Sequence, residues 1–341
     1  MTRQAAMSRW LTWLGAAAAA LAIAVVAGTA LADRDLPTAD DPAGRHTYFT
    51  NGVHNSVGCP TATSCVYPRK RGEPQKDPQY PAFWTSDWTM YRVFHKYKEY
   101  PPPYASPPAG LVPADYEVSY GTTYYDAAYA PPDKDGTGAM MEYYDKRCLP
   151  IFPGSNQFSC AFVSLGNKAY FLRYDDRPVG APACCQFSLD NHPPRPDFIK
   201  HLPYNPAESA HLDGTIQAYS LLLKQDHQSI LFGYAYDKQV RPDALDKAAV
   251  PYQHPQSFYF SGQPTTPPDA PIVSQNYSNF RMERPDPTKI WDQVTRSCPA
   301  QPVWCCLFAS DCPDQAAPAA PAATARRPAE WSTLRPEGAS R

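Results

Sequence analysis

Residues 160–204 read CAFVSLGNKAYFLRYDDRPVGAPACCQFSLDNHPPRPDFIKHLPY. Two apolar and aromatic runs, Cys160–Leu165 and Lys168–Tyr174, flank Gly166-Asn167. A two-residue Gly-Asn step between β-prone runs signals a tight hairpin, because Gly takes φ > 0 without steric cost. The second run leads through a Pro/Gly turn to the vicinal pair Cys184-Cys185, and a proline-rich arm follows. Hairpin, staple and arm together predict a disulfide-stapled β-sheet domain.

Outward from this stretch, further strands follow at meander-like intervals. In Tyr116–Tyr120 large and polar residues alternate, as a sheet with one buried face requires. Ala139–Asp145, Gly214–Leu223, Ile230–Asp237, Ser257–Gly262 and Tyr277–Met282 continue the series to about eight strands. Only Pro242–Val250 and Thr288–Val294 have helical character, and both are short. The composition agrees. The chain has 23 Tyr and 13% aromatic residues, which suit half-buried strands, and 40 Pro, which oppose long helices. The fold class read from the sequence is mainly β: a curved antiparallel sheet (half-barrel) with few short helices.

The N-terminal 32 residues have a different character. Arg3 and Arg9 precede the nearly unbroken apolar run Leu14–Gly28, and Ala30-Leu31-Ala32 satisfies the small-x-small cleavage rule. Residues 1–32 are expected to be a secretory signal peptide, with an uncleaved N-terminal anchor as the alternative. Without Arg3 and Arg9 the chain carries 29 basic and 33 acidic residues, a net charge of −4. That offers no electrostatic footprint for nucleic acid. No later stretch has the ~18 apolar residues of a membrane-crossing helix, so the mature chain is expected to have no transmembrane span. The expected location is periplasmic or extracellular.

Ten cysteines lie beyond that leader: Cys59, Cys65, Cys148, Cys160, Cys184, Cys185, Cys298, Cys305, Cys306 and Cys312. An even number in an exported chain predicts a disulfide framework. Without CxxC, HExxH or a His at ligand spacing, no metal site is expected. Cys59 and Cys65 are close enough to close a small loop, though either could bond elsewhere. A bond between adjacent cysteines is strained, so Cys184, Cys185, Cys305 and Cys306 are each expected to reach distant partners. One of Cys184 and Cys185 is expected to reach Cys298, a loop whose closure stabilises by about 4 kcal/mol in the chain-entropy model.

Residues 33–110 read as a proline-rich N-terminal extension. Within it Phe83, Trp84, Trp88, Tyr91 and Phe94 fall at near-helical spacing and suggest a short amphipathic helix or an aromatic edge packed on the sheet. Pro101–Pro103, Pro107 and Pro108 form a stiff spacer, the best domain boundary, with the half-barrel over 111–312. Residues 313–341 are Ala/Pro-rich and expected to be disordered.

The order of features resembles the ependymin-related secreted proteins, which are similar in fold to the LolA/LppX-like lipid carriers. The resemblance rests on Cys184-Cys185, Asp213-Gly214 opening a strand, and a close formed by Asn279, Phe280, Pro285, Asp286, Pro287, Trp291 and Cys298. It spans roughly residues 113–298. The extension, the Cys305-Cys306-Cys312 cluster, the tail and Val294, where the family tends to have Pro, depart from it. The resemblance implies a concave sheet face that holds an apolar ligand. Alternation and composition independently nominate Met140, Tyr143, Phe162, Phe171, Phe232, Tyr234, Phe258 and Phe260 as inward-facing, either lining a ligand site or filling a core.

There is no GxSxG, no SxxK and no Gly-rich phosphate loop. Asp175-Asp176 sits between Arg173 and Arg177, which favours an ion-paired turn over a glycosidic carboxylate pair. Asp133–Gly136 resembles half a calcium loop but lacks the later ligands. His192, His201, His211 and His227 are scattered and read as surface or cap residues. The sequence thus points to a non-enzymatic exported carrier or binding protein for a lipid or other hydrophobic small molecule, without a cofactor. The alternative is a structural or adhesive cell-surface protein with a filled sheet core.

Overall fold

The central hairpin forms as its residues require. β4 (Cys160–Leu165) and β5 (Lys168–Arg173) pair with Leu165 opposite Lys168, so Gly166-Asn167 is the whole loop. Gly166 has φ +56° and Asn167 is not in the left-handed region, the pattern of a type II′ turn. A Cβ at Gly166 would also lie 1.9 Å from the Asp135 carbonyl oxygen. Lys168 pairs across the same corner with Asp133 at 2.6 Å and Asp135 at 3.6 Å, so the half calcium loop is held by a lysine.

The computed structural model describes residues 67–95, 98–148, 157–174, 182–188, 193–225, 228–242, 251–261, 272–300, 303 and 305. The expectations for the signal peptide, for Cys59, Cys65, Cys306 and Cys312, for Asp175-Asp176, for His192 and His227, for the body of the 242–250 helix and for the tail lie outside these residues. The remaining strands are β1 (Phe83–Val93), β2 (Tyr116–Asp126), β3 (Ala139–Asp145), β6 (Cys184–Ser188), β7 (Ile216–Gln225), β8 (Gln228–Asp237), β9 (Pro255–Ser261) and β10 (Ile272–Arg281). All ten form one antiparallel sheet in the order β6-β5-β4-β3-β2-β1-β10-β9-β8-β7. The sheet curls without closing, because β6 and β7 do not pair. No helix among the described residues is long and apolar enough to cross a membrane. The one α-helix among the described residues, α1 (Asp292–Ser297), covers the C-terminal part of the helical stretch read at 288–294.

Two sequence expectations are corrected here. Residues 83–93 form neither a helix nor an edge, but a strand paired with β2 on one side and β10 on the other. Trp84, Trp88 and Met90 face one side of the sheet, with Ser86 between them. A small polar residue at an inward position breaks the visible alternation and leaves two Trp four apart, which mimics a helical stripe. The sheet therefore begins at Phe83, and the proline spacer does not separate it from an extension. The spacer is part of the connection from β1 to β2, and it docks back on β10: Tyr104 N–H donates to Ser274 Oγ, and Ser274 Oγ donates to the Tyr104 carbonyl, both at 3.2 Å. β6 is the other strand not read from the sequence.

Alternation gives the sheet two distinct faces. The inner face carries a single apolar cluster that runs from Cys185 on β6 through Phe171, Met140, Trp88, Val273 and Tyr234 to Tyr219 on β7. The outer face carries two patches. Met141, Tyr143, Val163 and Leu172 lie under Ile290, Trp291 and Val294 around α1. Ile216, Ala218, Leu231, Ala235 and Tyr259 lie against Leu212. A bulge in β10 opposite Thr85–Asp87 changes the parity of the strand. Asn279, at φ +50°, sits in it. Phe280, which unbroken alternation would send outward, instead stacks on Trp84 at 5.6 Å between centroids and joins the inner cluster.

The vicinal cysteines follow the same alternation. Cys184 points outward and bonds to Cys298, just after α1, while Cys185 points inward and bonds to Cys305. Adjacent strand residues face opposite sides, so one strand is sewn on both faces and no strained vicinal bond forms. Val303 and Cys305 pair with β6: Gln186 N–H donates to the Val303 carbonyl and Cys305 N–H to the Gln186 carbonyl, each at 2.8 Å. At the other end of the sheet, Asn205 N–H donates to the Ala218 carbonyl and Ser220 N–H to the Pro203 carbonyl. Both terminal strands are thus partly covered by the chain's own backbone, which blunts edge-to-edge association. Cys148–Cys160 ties the loop before β4.

Candidate functional site: the inner face of the sheet

The connection from β6 to β7 crosses the inner face as a strap. Its prolines, Pro193, Pro194 and Pro196, keep it extended, and they donate no backbone hydrogen bonds. The sheet and the preceding segment supply the donors. Tyr125 Oη–H donates to the Pro194 carbonyl at 2.6 Å, Tyr80 N–H to the Pro196 carbonyl at 3.0 Å, and Tyr67 N–H to the Lys200 carbonyl at 2.9 Å. Arg69 donates to the Leu202 and Ile199 carbonyls. Phe198, Ile199 and Leu202 then project onto the sheet and are fully buried. A cavity of about 460 Å³ opens beside the strap where it meets the β2–β3 turn, lined by Tyr125, Thr137, Gly138 and residues 193–197.

Of the eight residues nominated from the sequence, seven share this face. Phe171 and Tyr234 are buried within it, and Met140 is nearly so. Phe162, Phe232, Phe258 and Phe260 pack against the same cluster but stay only half-buried. Phe162 meets Phe171 edge-on at 5.3 Å, Phe232 stacks on Phe260 at 5.6 Å, and Tyr234 stacks on Phe258 at 4.8 Å. Tyr143 is corrected: it lies on the outer face beside Tyr174, at 5.7 Å. Met140 and Tyr143 are an odd number of residues apart in one strand, and period-two geometry sends them to opposite sides.

The strap does not fill the inner face uniformly. Under it, Tyr80 touches Trp84, Tyr125, Phe198 and Tyr236 at 5.1 to 5.7 Å, and Phe198 meets Tyr234 at 4.8 Å. This is core packing. The four half-buried phenylalanines, on β4, β8 and β9, lie where apolar surface remains uncovered.

The sequence reading missed a carboxylate among them. Glu142 stands between Met140 and Tyr144 on β3, at an inward position. Its Oε2 accepts from Gln275 Nε2 at 2.8 Å and from Thr123 Oγ1 at 2.9 Å. Protein surrounds it, and burial pushes its carboxyl up to about 7, with hydrogen bonds from Gln275, Thr123 and the Trp88 side pulling the other way. The signal was present: a charged residue at an inward position of a strand whose neighbours alternate correctly. No His/Cys/Asp/Glu cluster that could hold a metal occurs among the described residues. The inner face therefore offers apolar surface, tyrosine hydroxyls and the Glu142 carboxylate. No protein-family model and no curated protein matches the chain.

Proposed function

We propose that the protein is an exported, non-enzymatic carrier or binding protein that holds an apolar ligand, such as a lipid, on the inner face of its curved sheet. The observation that carries this reading is the uncovered surface of Phe162, Phe232, Phe258 and Phe260 on a face where Trp84, Trp88, Tyr125 and Phe171 are buried. Half-buried aromatic rings on a concave surface are where an apolar ligand gains most from leaving water. The disulfides are compatible with an oxidising compartment outside the cytoplasm. The resemblance to ependymin-related proteins and the LolA/LppX-like carriers points the same way.

The strap favours a second reading. Phe198, Ile199 and Leu202 fill part of the face with the chain's own residues, as a structural or adhesive protein would. Native mass spectrometry of the purified chain, followed by denaturing extraction and lipid analysis, separates the two. A stoichiometric hydrophobe that is lost from the Phe258→Ala/Phe260→Ala variant supports the carrier. An empty protein that takes up neither a fluorescent fatty acid nor a phospholipid overturns it and leaves the filled sheet.

A further inference from the structure

The cavity of about 460 Å³ beside the strap lies within the size range of small-molecule sites. None of the four half-buried phenylalanines lines it, so it is distinct from the apolar surface on β4, β8 and β9. Pro193, Pro194, Pro196, Ala127 and Tyr125 give it apolar walls. Gln79, Thr137, Arg195 and Asp197 add polar groups. The run Pro193-Pro194-Arg195-Pro196-Asp197 thus sets one guanidinium among three prolines, on a segment pinned to the sheet.

The hydrogen bonds already made decide what the cavity can take. Prolines bring carbonyls and no N–H, and along the strap the carbonyls are engaged. The Pro194 carbonyl accepts from Tyr125 Oη–H at 2.6 Å and the Pro196 carbonyl from Tyr80 N–H at 3.0 Å. The Arg195 carbonyl accepts from Phe198 N–H at 3.1 Å and the Asp197 carbonyl from Lys200 N–H at 3.3 Å. Away from the strap, the Gln79 carbonyl accepts from Gln253 N–H at 3.2 Å and the Gly138 carbonyl from Gly166 N–H at 2.9 Å. The Asp197 carboxylate is met by Lys200 Nζ, so its charge is answered within the strap. The other polar side chains lining the cavity are Arg195, which can only donate, and Gln79 and Thr137, which can donate. A cation among donors, where the acceptors are engaged, suits a ligand group that accepts and carries negative charge.

We propose that this cavity binds a small organic carboxylate, its apolar body against the proline and Tyr125 walls and its carboxylate on Arg195, with Gln79 and Thr137 as further donors. A guanidinium meets a carboxylate with two parallel N–H groups, which fixes direction as well as charge. An inorganic anion would use only the polar groups and leave the proline surface wet. An ammonium would face the Arg195 cation and find the carbonyls engaged. An alcohol would fit the walls without answering the Arg195 charge. The site stands independently of the apolar-ligand reading, because the half-buried phenylalanines take no part in it.

The test measures binding of phenylpropanoate, phenylpropanol and phenylpropylamine to the full chain by calorimetry. The carboxylate is expected to bind roughly tenfold more tightly than the alcohol, and the amine most weakly. Arg195→Gln should cut the carboxylate's advantage to about twofold or less, while Arg195→Lys keeps part of it, since an ammonium retains the charge and loses the paired N–H geometry. Thr137 lines the cavity and is exposed, so Thr137→Glu tests the location without disturbing the core. The charge it adds should weaken the carboxylate about threefold or more and leave the alcohol unchanged. Phe258→Ala/Phe260→Ala should bind the carboxylate as the unaltered chain does. Equal binding of the three probes, or tightest binding of the amine, overturns the inference. So does a carboxylate preference that survives both Arg195→Gln and Thr137→Glu, or one that vanishes with the phenylalanines, because the anion then binds elsewhere. Failure of all three probes to bind overturns the site itself and leaves the apolar-ligand reading, which is measured with lipid, where it stood.

Discussion

Replacing the cysteines of β6 pair by pair should show that its two disulfides do not contribute independently. Cys184–Cys298 and Cys185–Cys305 close loops with sequence separations of 114 and 120 residues. Either alone removes about 4 to 5 kcal/mol of unfolded-state entropy in the chain-entropy model. The two loops are nearly the same loop, however. Once one bond is present, the other closes only the short circuit through 184–185 and 298–305, about ten residues, worth about 2.5 kcal/mol. Cys184→Ser/Cys298→Ser should therefore lose about 2.5 kcal/mol, Cys185→Ser/Cys305→Ser about the same, and the fourfold variant about 7 kcal/mol. Guanidinium unfolding followed by tryptophan fluorescence measures all four proteins. The excess of the fourfold loss over the sum of the pairs, about 2 kcal/mol, is the signature. Additive losses would refute the shared-loop argument. They would place the stabilisation in local packing around each bond instead.

Other consequences are open to measurement. The raised carboxyl of Glu142 makes the folded chain bind a proton that the unfolded chain releases, so its contribution to stability should be fully present below about pH 4.5 and be lost, about 3 kcal/mol in all, as pH rises from there through about 7. Glu142→Gln should flatten that slope in pH-dependent unfolding, and an unchanged slope would show that the carboxyl ionises freely. At Gly121 an added Cβ would lie 2.2 Å from the Trp88 ring and 1.9 Å from the Tyr143 carbonyl oxygen. Gly121→Ala should therefore cost about 3 kcal/mol or more in equilibrium unfolding, while a neutral result would mean that Trp88 turns aside at no cost. Trp291 is fully buried on the outer face and 5.7 Å from Tyr129, so Trp291→Ala should cost about 3 to 5 kcal/mol in equilibrium unfolding, and a loss under about 1 kcal/mol would show that the patch around α1 collapses to fill the gap.

Most strands were legible because their residues alternate without interruption. Ala139–Asp145 and Cys160–Leu165 begin and end where period-two patterning and the Gly-Asn turn place them. The expected bond from the vicinal pair to Cys298 is present too. β1 was illegible for a specific reason: Ser86 occupies an inward position between two tryptophans, so its pattern is helical to the eye and its partner β10 lies far along the chain. The half-barrel's inward set was found apart from Tyr143, which was grouped by residue type where strand parity should have decided. Glu142 was missed because the inventory sought large apolar side chains. Its environment is made by Thr123 on the adjacent β2 and by Gln275 on β10, two strands further across the sheet, a constellation that sheet order creates and local spacing does not reveal.

The ladder between β1 and β10 sets an order of assembly. β2 to β6 and β7 to β10 are runs of sequential hairpins, each buildable from chain already at hand. The seam that joins them pairs Trp88 with Tyr277, the first strand with the last. Contacts so distant in sequence pay their loop-closure entropy before they return any stability, and they form late. A chain still emerging during synthesis would hold two half-sheets with β1 waiting for its partner. A truncation before residue 272 would therefore take away the spine of the sheet and leave two unjoined wings.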